Sequence, residues 1–290
     1  MRVFIVLLLA WMLCVQTVVA TPMAIYGNDS LKDLYQITDP RIRTLADGAV
    51  ALFVKQIIQA SDHDTYRLKS SPLSQLKNIC PSEHFSDQPS SVSCSGAWIG
   101  KDLVLTAGHC VNSQDDCNSM FVAFGYEVSS PEKYVTELPS RNVYACRTLL
   151  HREHNPLGAD FSIIQLDREV VGHIPLKIAR HTQAIPNGTA LMLAGFPMGL
   201  PLKLDLEGKV RNNSPSAYFV GAFDSFQGNS GSAIINLRSG ELEGIFVRGE
   251  KDFEMKNGCF VYRHCAMNGC RGEDSTKISV ILPYLPNSLE

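Results

Sequence analysis

Residues 94–110 read CSGAWIGKDLVLTAGHC. Between the two cysteines stand two short apolar runs, GAWIG and LVLTA, separated by Lys101 and Asp102. Runs this short, rich in large apolar residues and bounded by turn formers, suit strands better than helices. The stretch predicts a pair of strands joined by a tight turn, with His109 just beyond the second.

The same pattern extends outward in both directions. GAVALFV at 48–54, MFVAFGY at 120–126, DFSIIQLD at 160–167, ALMLAGF at 190–196, SAIINL at 232–237 and EGIFVRG at 243–249 repeat it. Turn signals such as NPLG at 155–158, PNGT at 186–189 and LRSGE at 237–241 fall between them. Many short strands over this length predict an all-β barrel or sandwich architecture. One helix is expected at the end, in EDSTKISVILPYLP, capped by Asp274 or Ser275, with Ile278, Ile281 and Leu282 on one face and Pro283 limiting it. Residues 21–48 read as an extended arm, part of it open to removal as a pro-segment. The polar, Ser-rich segment 60–93 reads as a long surface loop tied down by Cys80. A break near 168–177 divides the strand-rich region into 49–172, carrying His109 and Asp160, and 173–290, carrying Ser230 and the helix.

The chain has 290 residues, 45% hydrophobic and 19% charged, which is ordinary for a globular protein. A formal net charge of −3 without basic clusters offers nothing to nucleic acid. The first 20 residues hold one arginine, an apolar run from Val3 to Val15 and a small residue, Ala20, as in a secretory signal peptide cut near Ala20–Thr21. That run is shorter than the roughly 20 residues a membrane span needs, so a secreted or periplasmic monomer without stable membrane association is expected. Of nine cysteines, Cys14 lies in the leader; the remaining eight allow up to four disulfides in an oxidising compartment. Cys259, Cys265 and Cys270 surround His264, but their spacing does not match a paired CxxC zinc site, and no metal or cofactor is expected.

Three residues stand out chemically. Ser230 lies between glycines in GNSGS, a nucleophile or a plain turn residue. His109 follows an apolar strand beside Cys110; it is a base or a structural histidine. Asp160 opens DFSIIQLD as a buried orienting carboxylate or a strand cap, with Asp167 at the far end as its competitor.

The order His–Asp–Ser among these strands resembles the trypsin/chymotrypsin family of serine proteases. CSGAWIGKDLVLTAGHC is similar to that family's histidine segment, ADFSIIQLD to its aspartate segment and DSFQGNSGSA to its serine segment. The look is nearest to secreted bacterial members, including the glutamyl endopeptidase group with its GNSGS motif. The resemblance implies two antiparallel β-barrels and a serine endopeptidase acting on protein or peptide substrates. His109 becomes general base, Asp160 its orienter and Ser230 the nucleophile, with the amides of Gly228 and Ser230 as oxyanion hole. It also implies a Cys94–Cys110 disulfide, and Cys117–Cys146 is a further pairing to look for.

By the same resemblance Asp224, six residues before Ser230, sits at the bottom of the specificity pocket, with Ser225 and Gly249 beside it. Asp224 would attract arginine or lysine, and Phe246 stands where glutamate-specific relatives carry a histidine. Glutamate specificity and a catalytically silent binding protein remain as alternatives, as does an Asp224 bonded to loop backbone or neutralised by Arg248. Asn229 replaces the aspartate that pairs with a freed N-terminus in digestive relatives, and Phe226 replaces a cysteine.

Overall fold

Cys94–Gly100 and Leu103–Thr106 form an antiparallel hairpin that the rest of the fold builds on. In the computed structural model, which describes residues 24–61, 63–180 and 185–286, six strands close a first barrel. Around it run Met120–Ala123, Val143–His154, Asp160–Leu166, Leu103–Thr106, Cys94–Gly100 and Ala49–Val54, and the last pairs with the first. A second antiparallel barrel is made by Glu241–Arg248, Ala233–Asn236, Ala190–Gly195, Lys203–Asn212, Tyr218–Ala222 and Glu273–Lys277, closed by the pairing of Glu273–Lys277 with Glu241–Arg248. The leader segment 1–20 and Cys14 lie outside the described residues.

Most barrel strands read as apolar runs because both of their faces are covered, whereas Val143–His154 and Lys203–Asn212 keep exposed polar positions along their length. Along Ala49–Val54, residues Ala49, Ala51 and Phe53 join a core that includes Met192, Ala194 and Ile245 of the second barrel. Val50 and Leu52 face the other way, onto Val104, Val122 and Ile164 of their own barrel. Burying each large side chain is worth about 2 kcal/mol, so the contact between barrels is part of the core and holds the inter-barrel cleft in shape.

Four disulfides link Cys80–Cys259, Cys94–Cys110, Cys117–Cys146 and Cys265–Cys270. The cysteines around His264 therefore belong to two separate bridges.

Three sequence expectations need correcting. The C-terminal helix is Ile278–Ile281, and its N-cap is Lys277 with no side-chain cap. Asp274 and Ser275 lie instead in the strand Glu273–Lys277, hydrogen-bonded to neighbours on both sides, a pairing made by residues far off in sequence. Segment 60–93 is built rather than looped: Thr65–Leu68 pairs with Ile58–Ala60 and Glu137–Pro139, Ser71–Pro72 pairs with Pro89–Ser90, and Leu73–Lys77 is a helical turn. The arm is integrated as well. Ile25–Tyr26 runs parallel to His264–Cys265, Lys32–Asp33 pairs with Lys203–Leu204, and Pro40–Ala46 is a helix capped by Asp39. Asp33 and Gln88 both meet the buried ammonium of Lys203, at 2.6 and 2.9 Å, which stitches the arm and segment 60–93 to the second barrel.

Candidate active site

His109, Asp160 and Ser230 come from three distant parts of the chain and meet at the seam between the barrels. The strand Leu103–Thr106 ends just before Gly108, and the backbone there runs against its neighbour so closely that a Cβ at 108 would lie 1.9 Å from the carbonyl oxygen of Glu153. Only glycine permits that approach, and it carries His109 to Asp160. The Nδ1 of His109 lies 2.8 Å from Oδ2 of Asp160, while its backbone N–H donates to Oδ1 at 3.1 Å. Asp160 is 3% exposed, and its backbone is clamped by the hydroxyl of Thr276, which accepts from Asp160 N and donates to Asp160 O. With both carboxylate oxygens turned to one residue, the imidazole's Nδ1 must carry the proton and Nε2 is left as acceptor. That Nε2 lies 2.8 Å from Ser230 Oγ.

Ser230 is held by the turn around it. Gly231 has φ +90° and lies against the hairpin, where a Cβ would stand 2.0 Å from Ser95 O. Ser95 in turn donates its hydroxyl to Gly228 O while accepting from Phe196 N, and its N–H donates to Ser230 O. Gly228 has φ +97°, a conformation that favours glycine. Among the described residues the amides of Asn229, Gly231 and Ser232 donate to protein carbonyls, whereas those of Gly228 and Ser230 have no protein acceptor. Asn229 is fully buried, its Oδ1 accepting from Ser232 Oγ.

Asp224 does not present a free carboxylate to a pocket. It is 2% exposed, and its oxygens accept from the backbone N–H groups of Tyr26 and Ser30, each at 2.7 Å. Ser30 Oγ lies 2.8 Å from both Asp224 Oδ2 and Asp205 Oδ1. A hydroxyl has one hydrogen, so it donates to one of the two carboxyls at a time, and the other can bond to Oγ only by carrying a proton. Burial and the neighbouring Asp205 accordingly push Asp224 up to about 7. Nor does Arg248 neutralise Asp224; its guanidinium pairs with Asp274 at 2.9 Å and donates to Gly158 O.

Ser225 and Gly249 are brought together, but around a residue that sequence reasoning missed. Glu273 lies fully buried, with Oε2 accepting from Ser225 Oγ at 3.1 Å and Oε1 from Tyr26 Oη at 3.1 Å and Glu250 N at 3.2 Å. A Cβ at 249 would lie 1.5 Å from Glu273 Oε2, so the missing side chain at Gly249 is what makes room for this carboxyl. Burial raises Glu273 well above the ordinary glutamate range. Close by, Asp252 accepts from Gln227 N through Oδ2, while its buried Oδ1 has no partner; burial lifts it to about 8. Two buried acids with no ion pair among the described residues thus back the loop that carries Ser230; Arg271 acts on Glu273 and Lys77 on Asp252 only through space. Their sequence context held no warning: Glu273 heads a segment that reads as a helix start, and Asp252 lies in a polar turn.

The described residues offer one grouping able to hold a metal ion, His109, His154 and Asp160, whose ligand atoms lie within 4.8 Å of one another. Two of the three are already bonded to each other in the relay, so a cation there would compete with it.

A model of the trypsin-like peptidase domain matches residues 94–245. Among solved structures, a Glu endopeptidase in complex with MPD is similar at 16% identity and a TM-score of 0.51, over 90% of this chain and 96% of that one. The VesB protease of Vibrio cholerae is similar at 16% identity and a TM-score of 0.53, over 90% of this chain and 66% of that one. These likenesses are of fold. No curated protein sequence matches the chain.

Proposed function

From the premise that the chain belongs to the trypsin-like peptidase family and is a serine endopeptidase, we propose that Ser230, His109 and Asp160 perform its chemistry and that it cuts exported proteins or peptides after arginine or lysine. The observation that carries the catalytic part is the continuous relay from Asp160 Oδ2 through His109 to Ser230 Oγ, 2.8 Å at each step. His109 Nε2 takes the hydroxyl proton as Oγ attacks the substrate carbonyl. The tetrahedral oxyanion is met by the amides of Gly228 and Ser230, which have no protein acceptor to give up. His109 then passes its proton to the leaving amine, and a water repeats the sequence to free the acyl group from Ser230. Asp160 keeps the proton on Nδ1 and stabilises the imidazolium.

Basic specificity rests on Glu273 rather than on Asp224. A guanidinium or ammonium entering between Ser225 and Gly249 would meet a buried carboxyl that forms no ion pair among the described residues, the nearby Arg271 being paired with Asp274. An acidic side chain in that place would find a buried acid and no cation to pair with, which argues against the specificity named for the Glu endopeptidase neighbour. Export is supported by the four disulfides, which persist in oxidising compartments.

A fluorophosphonate probe tests the catalytic reading. It is expected to label the parent on Ser230 and to leave Ser230→Ala and His109→Ala unlabelled, with each variant losing about as much activity as the double variant because the relay acts as a unit. Equal labelling of parent and Ser230→Ala would overturn the assignment.

A further inference from the structure

We propose that the cleft beside Ser230 on the side away from Ser225 and Gly249 receives the leaving-group half of the substrate, and that Lys69 and Lys77 make it select acidic residues there. The inference rests on the endopeptidase reading and extends it past the scissile bond. The cleft has a volume of about 850 Å³ and reaches His109, Gly228 and Ser230 directly. Ser225, Val247, Gly249 and Glu273 do not line it. A polypeptide bound across Ser230 must continue beyond the bond being cut, and this cleft is the space open to it.

Its chemistry is lopsided. Ile57, Leu68, Leu76 and Met198 supply apolar surface, Lys69 and Lys77 supply charge, and no aspartate or glutamate lines it, although the whole chain carries a net −3. Both lysines are exposed, and among the described residues neither ammonium makes a hydrogen bond or ion pair. Asp252 and Lys77 attract each other, but burial raises the Asp252 carboxyl to about 8, which weakens that attraction at neutral pH. The wall is also preformed. Lys77 ends the turn Leu73–Lys77, three residues before the Cys80–Cys259 bridge. Around it Phe260 N donates to Asn78 O and Cys80 N to Phe260 O, each at 2.9 Å, while Lys69 N donates to Ile57 O at 2.7 Å. A rigid wall loses little entropy when a chain docks on it.

The test uses internally quenched peptides that share one acyl half accepted by the parent and differ only after the cut, carrying glutamate, glutamine or lysine at the second and third leaving positions. A chromogenic anilide of the same acyl half, which has no leaving-side residues, is the control. The parent is expected to show kcat/KM about tenfold higher for glutamate than for glutamine, shrinking as salt screens the lysines. The double variant Lys69→Glu/Lys77→Glu is expected to reverse the order in favour of lysine, and Lys69→Gln/Lys77→Gln to level it, with anilide turnover unchanged in both. Equal rates on glutamate and glutamine peptides in the parent would overturn the proposal, as would variants that slow every peptide alike. Absence of both anilide turnover and fluorophosphonate labelling in the parent would instead remove the endopeptidase reading and this proposal with it.

Discussion

The carboxylate of Asp224 accepts the backbone N–H of Tyr26 at 2.7 Å, across 198 positions of sequence. That bond fastens the arm to the loop ahead of Ser230, and Ser30 adds two more donors to the same side chain. Ser225 N in turn donates to Ala24 O, so the arm and the loop support each other. Asp224 thus shapes the site from behind.

Asp224→Ala is expected to lower thermal stability markedly, because it orphans buried backbone donors at about 1–3 kcal/mol each. Thermal unfolding measures the loss. The preference of the remaining folded enzyme for arginine over its uncharged isostere citrulline is expected to persist; its disappearance in Asp224→Asn would return the selective role to Asp224.

Glu273→Gln keeps the shape of the side chain and removes its charge. It is expected to lower kcat/KM for arginine-ended substrates about a hundredfold, a loss within the usual range for a buried charge pair, and to leave citrulline-ended substrates nearly untouched. Because burial holds the Glu273 proton well above the ordinary range, a basic substrate must displace that proton. The arginine-to-citrulline ratio of kcat/KM in the parent is therefore expected to rise with pH, and to be flat in Glu273→Gln.

Asp252 supplies a stability test. Its carboxyl is raised in the folded chain from 3.8 to about 8, so the folded state holds a proton that the unfolded chain releases near its ordinary value. The stability linked to that proton is fully present below about pH 4 and is lost as pH rises through about 8, at up to about 1.4 kcal/mol per pH unit. Asp252→Asn, which keeps an acceptor for Gln227 N, is expected to flatten this fall between pH 4 and 8 in denaturant titrations. An unchanged slope would show that Asp252 ionises without penalty.

Lys203 and Asp33 form a buried ion pair, 0% and 3% exposed. Lys203→Met leaves Asp33 charged and is expected to cost about 3–5 kcal/mol. Lys203→Met/Asp33→Leu is expected to recover much of that cost, since two apolar groups in the same space carry no desolvation penalty. Equilibrium unfolding of the two variants and the parent distinguishes these outcomes.

Most of the barrel strands were legible from short apolar runs bounded by turns, while His109, Asp160 and Ser230 were singled out by three motifs in His–Asp–Ser order rather than by the setting of any one of them. A strand such as Ala49–Val54 or Asp160–Leu166 is covered on both faces, so it keeps a run of apolar residues that stands out whatever it pairs with. The C-terminal segment misled for the opposite reason. Asp274 and Ser275 have the local preference of helix caps, but pairing with Tyr218–Ala222 and Glu241–Arg248 outweighs it.

By itself, then, the chain's primary structure determined an all-β scaffold and pointed, through three short motifs, to His109, Asp160 and Ser230, whereas their meeting across 51 and 121 positions of sequence is tertiary. Tertiary structure alone decided that Asp224 holds the backbone of the arm and that Glu273 lies buried against Ser225 and Gly249. Asp224 and Glu273 are equally acidic as residues; what separates their surroundings is that the backbone N–H groups of Tyr26 and Ser30 close on Asp224, while Glu273 is met by the hydroxyls of Tyr26 and Ser225 against the bare backbone at Gly249. Charge acts through distance and burial, and neither is written along a sequence.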